Sequence, residues 1–216
     1  MPPFPFVPVK LPLAKRLLDI VVTLLLLFLL SPFMALIALL MFGEGIFVAS
    51  SRGAIFYSEQ RISQGRPFVL RKFRIFKQAA LRSALRQNGF IETKELENDS
   101  RNLTGVGRLL KKIYMDELPQ FWNVLKGELS LVGPRPTNSL NAQRWLREGR
   151  YSKHLIKAGV TGYFQSHKGR KLQRDQDEMD MEYINFVRQN PGWKVVLFDM
   201  KILVISLYTI LRAEGI

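Results

Sequence analysis

The stretch IVVTLLLLFLLSPFMALIALLMF, Ile20 to Phe42, is a run of 23 residues whose only non-apolar members are Thr23, Ser31 and Pro32. A straight helix of that length reaches roughly 34 Å at about 1.5 Å per residue, enough to cross the hydrocarbon core of a bilayer. The run is longer than the apolar part of a cleaved signal peptide, so the segment is expected to stay and to anchor the chain. Ser31-Pro32 lies at its middle. Proline removes one helical hydrogen bond and clashes with the preceding turn, which predicts a kink or break, with the serine hydroxyl placed to satisfy a freed carbonyl. Lys10, Lys15 and Arg16 precede the run; Arg52, Arg61, Arg66, Arg71, Lys72 and Arg74 follow it. A spanning helix usually carries its positive excess on one side. Two basic ends therefore suggest a helix-break-helix hairpin with both ends on the same face, while the residues alone leave an ordinary kinked span open.

Outward from the anchor, the chain reads as one domain of ordinary size. Its 216 residues carry 32 Lys plus Arg against 18 Asp plus Glu, a net charge of +14. Such a balance favours anionic partners, whether nucleic acid, acidic lipid or phosphorylated substrate. There is no cysteine, which excludes disulfides, thiolate metal sites and a cysteine nucleophile. The two histidines, His154 and His167, are read as packing or surface residues.

Residues 1–14, rich in proline, read as an extended arm; 15–45 as the anchor; 46–216 as the globular part, with no internal repeat and no second domain. Ile46 to Ile75 alternates apolar and polar residues, with Gly53 and Gly65, and predicts short strands in a hairpin-like region. Gln78 to Gln87 is a helical stretch ended by Asn88-Gly89, and Glu92 to Arg101 a polar, mobile loop. Thr104 can cap a helix running to Ile113; Thr137 or Asn138 can cap another to about Glu148; Tyr151 to Ala158 predicts a short helix, and Gly159 to Gln165 a turn and strand. Asp175 can start a helix whose Met179, Tyr183, Phe186 and Val187 fall on one face as core. Trp193 to Arg212 is apolar but interrupted by Asp199 and Lys201, leaving too short a run to cross a bilayer; it predicts an interfacial or core helix. The fold class is mostly α with a few short strands.

The chemistry concentrates in Lys111-Lys112-Ile113-Tyr114-Met115-Asp116-Glu117-Leu118-Pro119-Gln120 and, sixteen residues after Glu117, Gly133-Pro134-Arg135-Pro136. Asp116 is placed to cap a helix through Leu118, Phe121, Trp122 and Leu125 that ends at Gly127, and a carboxylate at such a helix start is expected to stay ionised. Capping alone explains an Asp-Glu pair. Arg135, however, stands between two prolines that restrict its backbone, and presents a planar fork suited to phosphate oxygens. Near an acidic pair this reads as an anion clamp.

Several of these stretches resemble signatures of the bacterial sugar transferases, the monotopic phosphoglycosyl transferases. They are Asp116 to Gln120, Asn123-Val124-Leu125-Lys126-Gly127, Ser130 to Pro136 and Gly159-Val160-Thr161-Gly162. The resemblance extends to Phe56-Tyr57-Ser58-Glu59-Gln60-Arg61, Lys72-Phe73-Arg74 and Asp199 to Leu203, and so covers the chain from about Lys15 to its end. It implies a re-entrant membrane hairpin on the cytoplasmic face of a bacterial inner membrane, with a compact catalytic domain and interfacial helices. It implies transfer of a sugar-1-phosphate from a UDP-sugar to a polyprenol phosphate such as undecaprenyl phosphate, with UMP released. Asp116 would attack and carry an aspartyl-phosphosugar intermediate. Asp116 and Glu117 would hold Mg2+. Lys72, Arg74, Lys111, Lys112, Pro134, Arg135 and Pro136 would bind or shape the substrate site.

The implied partners are the lipid bilayer, a homodimeric copy and later glycosyltransferases of a glycan or exopolysaccharide pathway, with no nucleic acid. The resemblance is to the small form of the family, without the multi-span N-terminal region of its large members. Three positions depart from the family pattern: Lys111 stands for an arginine, Ile113-Tyr114 for Thr-Ser, and Gly53-Ala54 for Gly-Pro. The alternatives are a non-catalytic basic membrane-attached binding protein and an inactive family member.

Overall fold

The computed structural model describes residues 7–88, 91, 93–167 and 174–211. For 87, 88, 94, 210 and 211 it describes the backbone only. Gly89, Glu92 and Arg212, which figure in the expectations above, lie outside the described residues. Most of the described chain is helical, with two small sheets.

The apolar run lies within one long helix, α1 (Leu13–Phe47), whose helical assignment continues through Ser31 and Pro32. Where a kink or break was expected, the helical assignment runs on with the proline inside it. The local chemistry follows expectation. Pro32 has no N–H for the Phe28 carbonyl one turn back, and Ser31 Oγ donates to that oxygen at 2.9 Å. Large apolar side chains stand exposed along most of α1, Phe28 at 78 %. A lone helix this apolar and this exposed is long enough to enter a membrane.

Contacts divide the chain into two compact units. The first comprises residues 1–26, 59–70 and 120–216, the second 27–58 and 71–119. Both units take part in α1 and in the hairpin of β1 (Phe56–Ser63) and β2 (Arg66–Phe73). The two residues between those strands, Gln64 and Gly65, have φ of 51° and 73°. This left-handed pair is the turn that matches strand twist in a two-residue hairpin.

The second unit adds α2 (Gln78–Asn88), α3 (Thr93–Asn98) and α4 (Gly105–Lys112). Its core gathers Ile37, Met41, Phe73, Ile75, Phe76, Leu81, Leu103 and Leu110. Thr104 caps α4 as expected, accepting from Gly107 N–H at 2.9 Å. Of the stretch read as a mobile loop, Glu92 to Arg101, the described residues form α3 and enter a 3-10 turn at Ser100–Asn102. Asp99 supplies the missing local order by accepting from the Arg101 N–H.

The first unit holds α5 (Gln120–Leu125), β3 (Ser130–Val132), α6 (Ser139–Arg147), α7 (Ser152–Leu155), β4 (Gly159–Thr161), α8 (Tyr163–Ser166), α9 (Gln176–Gln189) and α10 (Gly192–Leu211). Asn138 rather than Thr137 caps α6, and Asp175 caps α9. The expected helix over Tyr151–Ala158 shrinks to α7, because Ile156 turns extended on the way to β4. Strands β3 and β4 pair in parallel, Ser130 opposite Gly159 and Val132 opposite Thr161. Met179, Tyr183 and Val187 are buried in the core, and Phe186 packs against it.

Helix α10 turns Val195, Asp199, Ile202, Ser206 and Thr209 inward, while Trp193, Leu197, Met200, Val204 and Leu207 stand exposed on its other face. An outward apolar stripe on the last helix is the pattern of an interfacial element.

Candidate active site

The carboxylate pair lies in the second unit, on a strained connection. Helix α4 ends at Lys112, and Tyr114 then takes φ 57°, ψ 20°, a left-handed conformation uncommon for a bulky residue. That reversal starts a 3-10 turn at Met115–Glu117. Met115 and Leu118 bracket the acidic pair and pack against the core of the unit, pinning the turn from both ends.

Helix α5 begins only at Gln120. The expectation that Asp116 caps it is thus corrected: the left-handed step at Tyr114 and the turn at Met115–Glu117 set Asp116 ahead of the helix, with Pro119 directly before its first residue. The end of α5 is as expected. Gly127, φ 76°, closes it, with Gly127 N–H on the Val124 carbonyl and Glu128 N–H on the Asn123 carbonyl.

Asp116 is 8 % exposed. Burial pushes its carboxyl up to about 7; the neighbouring Glu117 and then Glu97 add to this, and Lys72 opposes it. The expectation of a permanently ionised carboxylate is therefore corrected. Too little positive potential faces Asp116 to outweigh its loss of water. Lys72 Nζ donates to Glu117 Oε1 at 2.7 Å, so the cation that could neutralise Asp116 is held by its neighbour.

The other expected residues sort into two kinds. Lys111 donates to the Glu97 carbonyl at 2.7 Å and stands 3.8 Å from Glu97 Oε2, which leaves it beside the acidic turn but engaged. Lys112 is exposed. Arg74 is 3 % exposed and spends its guanidinium on the carbonyls of Ala54, Phe76 and Ser51. It braces the segment bearing Ser51 and Ala54 against the chain at Phe76, while it was expected among the substrate-binding residues. Burial lowers its pKa, and Glu44 opposes the shift.

Pro134, Arg135 and Pro136 belong to the first unit, directly after β3. The turn is fastened at both ends. Gly133 N–H donates to the Thr161 carbonyl and Gly159 N–H to the Pro134 carbonyl, each at 2.9 Å, and Ile62 N–H to the Thr137 carbonyl at 2.8 Å. Side chains are excluded here, because a methyl group at Gly133 would overlap the Lys157 carbonyl and one at Gly159 would overlap Gly133 N and Thr161 O. The glycines of these motifs are thus close-approach positions.

The sequence reading missed the residues that hold β3. Lys15, fully buried on α1, donates to the Val132 carbonyl at 3.0 Å and pairs with Asp199 of α10. Tyr183 donates to the other Asp199 oxygen at 2.8 Å. One turn beyond Lys15, Asp19 accepts from Ser130 Oγ and Leu131 N–H. The available signal was charge at helical spacing ahead of an apolar run, together with an aspartate inside an otherwise apolar helix. Among the described residues no group of three or more His, Asp or Glu gathers as a metal cluster.

Residues 11–213 match the family model described as bacterial sugar transferase, and the chain belongs to that family. It is 34 % identical over 206 residues to the UDP-glucose:undecaprenyl-phosphate glucose-1-phosphate transferase of Escherichia coli (strain K12), covering 91 % of this chain and 40 % of that protein. It is 29 % identical over 204 residues to the UDP-N-acetylgalactosamine-undecaprenyl-phosphate N-acetylgalactosaminephosphotransferase of Aeromonas hydrophila, covering 93 % and 44 %. It is 34 % identical over 164 residues to the uncharacterized sugar transferase EpsL of Bacillus subtilis (strain 168), covering 75 % and 72 %. The chain thus spans less than half the length of the first two relatives.

Proposed function

We propose that the chain is a phosphoglycosyl transferase that moves a sugar-1-phosphate from a UDP-sugar to a polyprenol phosphate, undecaprenyl phosphate being the acceptor in the relatives' names. The observation that carries this reading is Asp116 itself: a buried carboxylate titrating near 7, beside Glu117 and its lysine, in a chain with a long apolar helix. A nucleophile poised near neutral pH divides one difficult displacement into two.

In the first step an Asp116 oxygen bonds to the sugar-bearing phosphorus as the bond from that phosphorus to the bridging oxygen breaks. UMP leaves with the electron pair and the oxygen. In the second, an oxygen of the polyprenol phosphate attacks the same phosphorus, and the carboxylate departs. The lipid diphosphate sugar is released and no net proton moves. Glu117, paired with Lys72, stands beside the nucleophile. Lys111 and Lys112 supply positive potential near the turn, and Arg135, fixed between Pro134 and Pro136, offers a bidentate fork to phosphate. Mg2+ fits the donor set, since it commonly takes one or two carboxylates and completes its shell with phosphate oxygens, and the raised Asp116 marks a carboxylate lacking a cation. Bound by Asp116 and Glu117, it would supply charge neutralisation for the diphosphate.

The test is UMP release from UDP-glucose, UDP-galactose and UDP-N-acetylgalactosamine in the presence of undecaprenyl phosphate and Mg2+. Release that needs the lipid supports the reading. Release from none of them sinks it in favour of a basic membrane-attached binding protein or an inactive family member.

Two further results are expected. Without Mg2+ the Asp116 carboxyl should titrate near 7 by infrared difference spectroscopy against Asp116→Asn; a midpoint near 4 would contradict its burial. The anchor is proposed to be re-entrant, with both ends at the cytoplasmic face, supported by cations on both sides of α1 and by the Ser31 hydroxyl on the Phe28 carbonyl. The chain has no cysteine, so Lys10→Cys and Arg52→Cys can each be probed cleanly in intact cells. Both should resist a membrane-impermeant thiol reagent added outside; labelling of one alone would establish a spanning helix.

A further inference from the structure

The second unit contains a cavity of about 460 Å³ where α1 ends, away from the acidic turn in its lining. Lys77, Arg101 and Arg108 line it, together with Glu44, Ser51 and Val48. Glu44 is already consumed. Its Oε1 accepts from Gly105 N–H at 2.6 Å and from Ser51 Oγ at 2.8 Å, and its Oε2 from Val106 N–H at 2.9 Å, so the acid caps α4 and does not stand as a free anion. Asp99, beside the cavity, holds the Arg101 guanidinium through both carboxylate oxygens. Lys77, Arg101 and Arg108, with Arg74 also acting on Glu44, outnumber the two engaged carboxylates and leave the cavity net positive. Val48 and Leu103 bring apolar surface to the lining, Val48 half-exposed, and Phe47 before it, the last residue of α1, is 87 % exposed.

A singly charged phosphate diester carrying apolar chains matches both features. Its one negative charge balances the surplus, guanidinium and ammonium groups suit its oxygens, and its chains continue along apolar side chains at the end of a membrane helix. We propose that this cavity binds the phosphate of an anionic glycerophospholipid, seating the headgroup between Lys77, Arg101 and Arg108 while the acyl chains follow Val48 and Phe47 at the end of α1. Free phosphate and nucleotide share the phosphate chemistry but not the apolar tail, so they are the competing source.

The experiment uses the full chain in mixed micelles of phosphatidylcholine and phosphatidylglycerol, counting retained lipid by native mass spectrometry. The wild type should retain one phosphatidylglycerol with a preference over phosphatidylcholine of about tenfold or more, a difference of about 1.4 kcal/mol. Lys77→Gln, Arg101→Gln and Arg108→Gln together should erase it. Arg82→Gln, Arg86→Gln and Arg147→Gln together, which remove the same charge elsewhere, should leave it intact. If the cavity triple variant does not fold, Arg108→Gln alone should cut the preference at least roughly threefold. Equal loss in both triple variants, or no preference in the wild type, would reduce the effect to overall charge and overturn the proposal. Displacement of the lipid by millimolar UMP or inorganic phosphate would assign the cavity to a soluble phosphate and overturn the lipid source.

Discussion

Asp116→Asn is expected to lower UMP release by at least about 10³-fold with every accepted UDP-sugar, because removing a covalent nucleophile leaves only binding and electrostatic stabilisation. The same substitution should not weaken the fold. Asp116 is buried and its carboxyl is pushed up to about 7 from an unfolded value near 3.8. The folded protein therefore binds the proton more tightly than the unfolded chain. Stability is fully present below the unfolded value, falls as pH rises from about 4 to about 7, and stays reduced above that. At roughly 1.4 kcal/mol per unit, the cost of holding this carboxylate ionised at pH 8 is a few kcal/mol. Asparagine has the shape of the protonated acid and carries none of that cost, so the inactive variant should be as stable as the wild type or more so at pH 8. The gain should vanish near pH 4. Denaturation at both values measures it, and a variant less stable at pH 8 would show that the ionised carboxylate is held by favourable contacts. Sites that sacrifice stability for reactivity behave in this way.

The second large effect lies far from any phosphate. Lys15→Met should destabilise the protein by about 3–5 kcal/mol, because it leaves Asp199 buried without its cation, an uncompensated charge in a dry environment. Both side chains are fully buried. Burial already raises Asp199 against the opposing effect of Lys15, so the variant's deficit should shrink on acidification, where Asp199 takes up a proton. Pairing the change with Asp199→Leu should recover much of the loss, since a matched apolar pair replaces a matched ionic one. Chemical unfolding in micelles gives the numbers, and a single variant within about 1 kcal/mol of wild type would show that water reaches the pair. The Val132 carbonyl loses its lysine too, so the effect extends to the strand that precedes the Pro134-Arg135-Pro136 turn.

The sequence was most informative where one local rule acted alone. The apolar run of α1, the Thr104 and Asp175 caps, Gly127 closing α5, the Ser31 hydroxyl on the Phe28 carbonyl and the Met179, Tyr183 and Val187 stripe all depend on neighbours within a turn or two. What escaped it depended on partners far along the chain or on strain. A tyrosine in left-handed conformation has no residue signature, and Tyr114 in that state moved Asp116 off the helix start. Burial of Asp116 is a tertiary fact, so an ionised carboxylate was expected where one titrating near 7 is found. The resemblance set Arg74 at the substrate site, and the carbonyls of Ser51, Ala54 and Phe76 that take its guanidinium carry no mark in the motif. Lys15 and Asp199 stand 184 positions apart, beyond any reading of spacing.

The most direct test of the proposed mechanism is intact-protein mass spectrometry of the chain mixed with a UDP-sugar and Mg2+ while polyprenol phosphate is withheld. The expected result is an added mass equal to one phosphosugar on the peptide bearing Asp116, formed together with one UMP, absent from Asp116→Asn and discharged when undecaprenyl phosphate is supplied. UMP formed only after the lipid is added, with the protein mass unchanged throughout, would contradict it and make the transfer a single direct displacement.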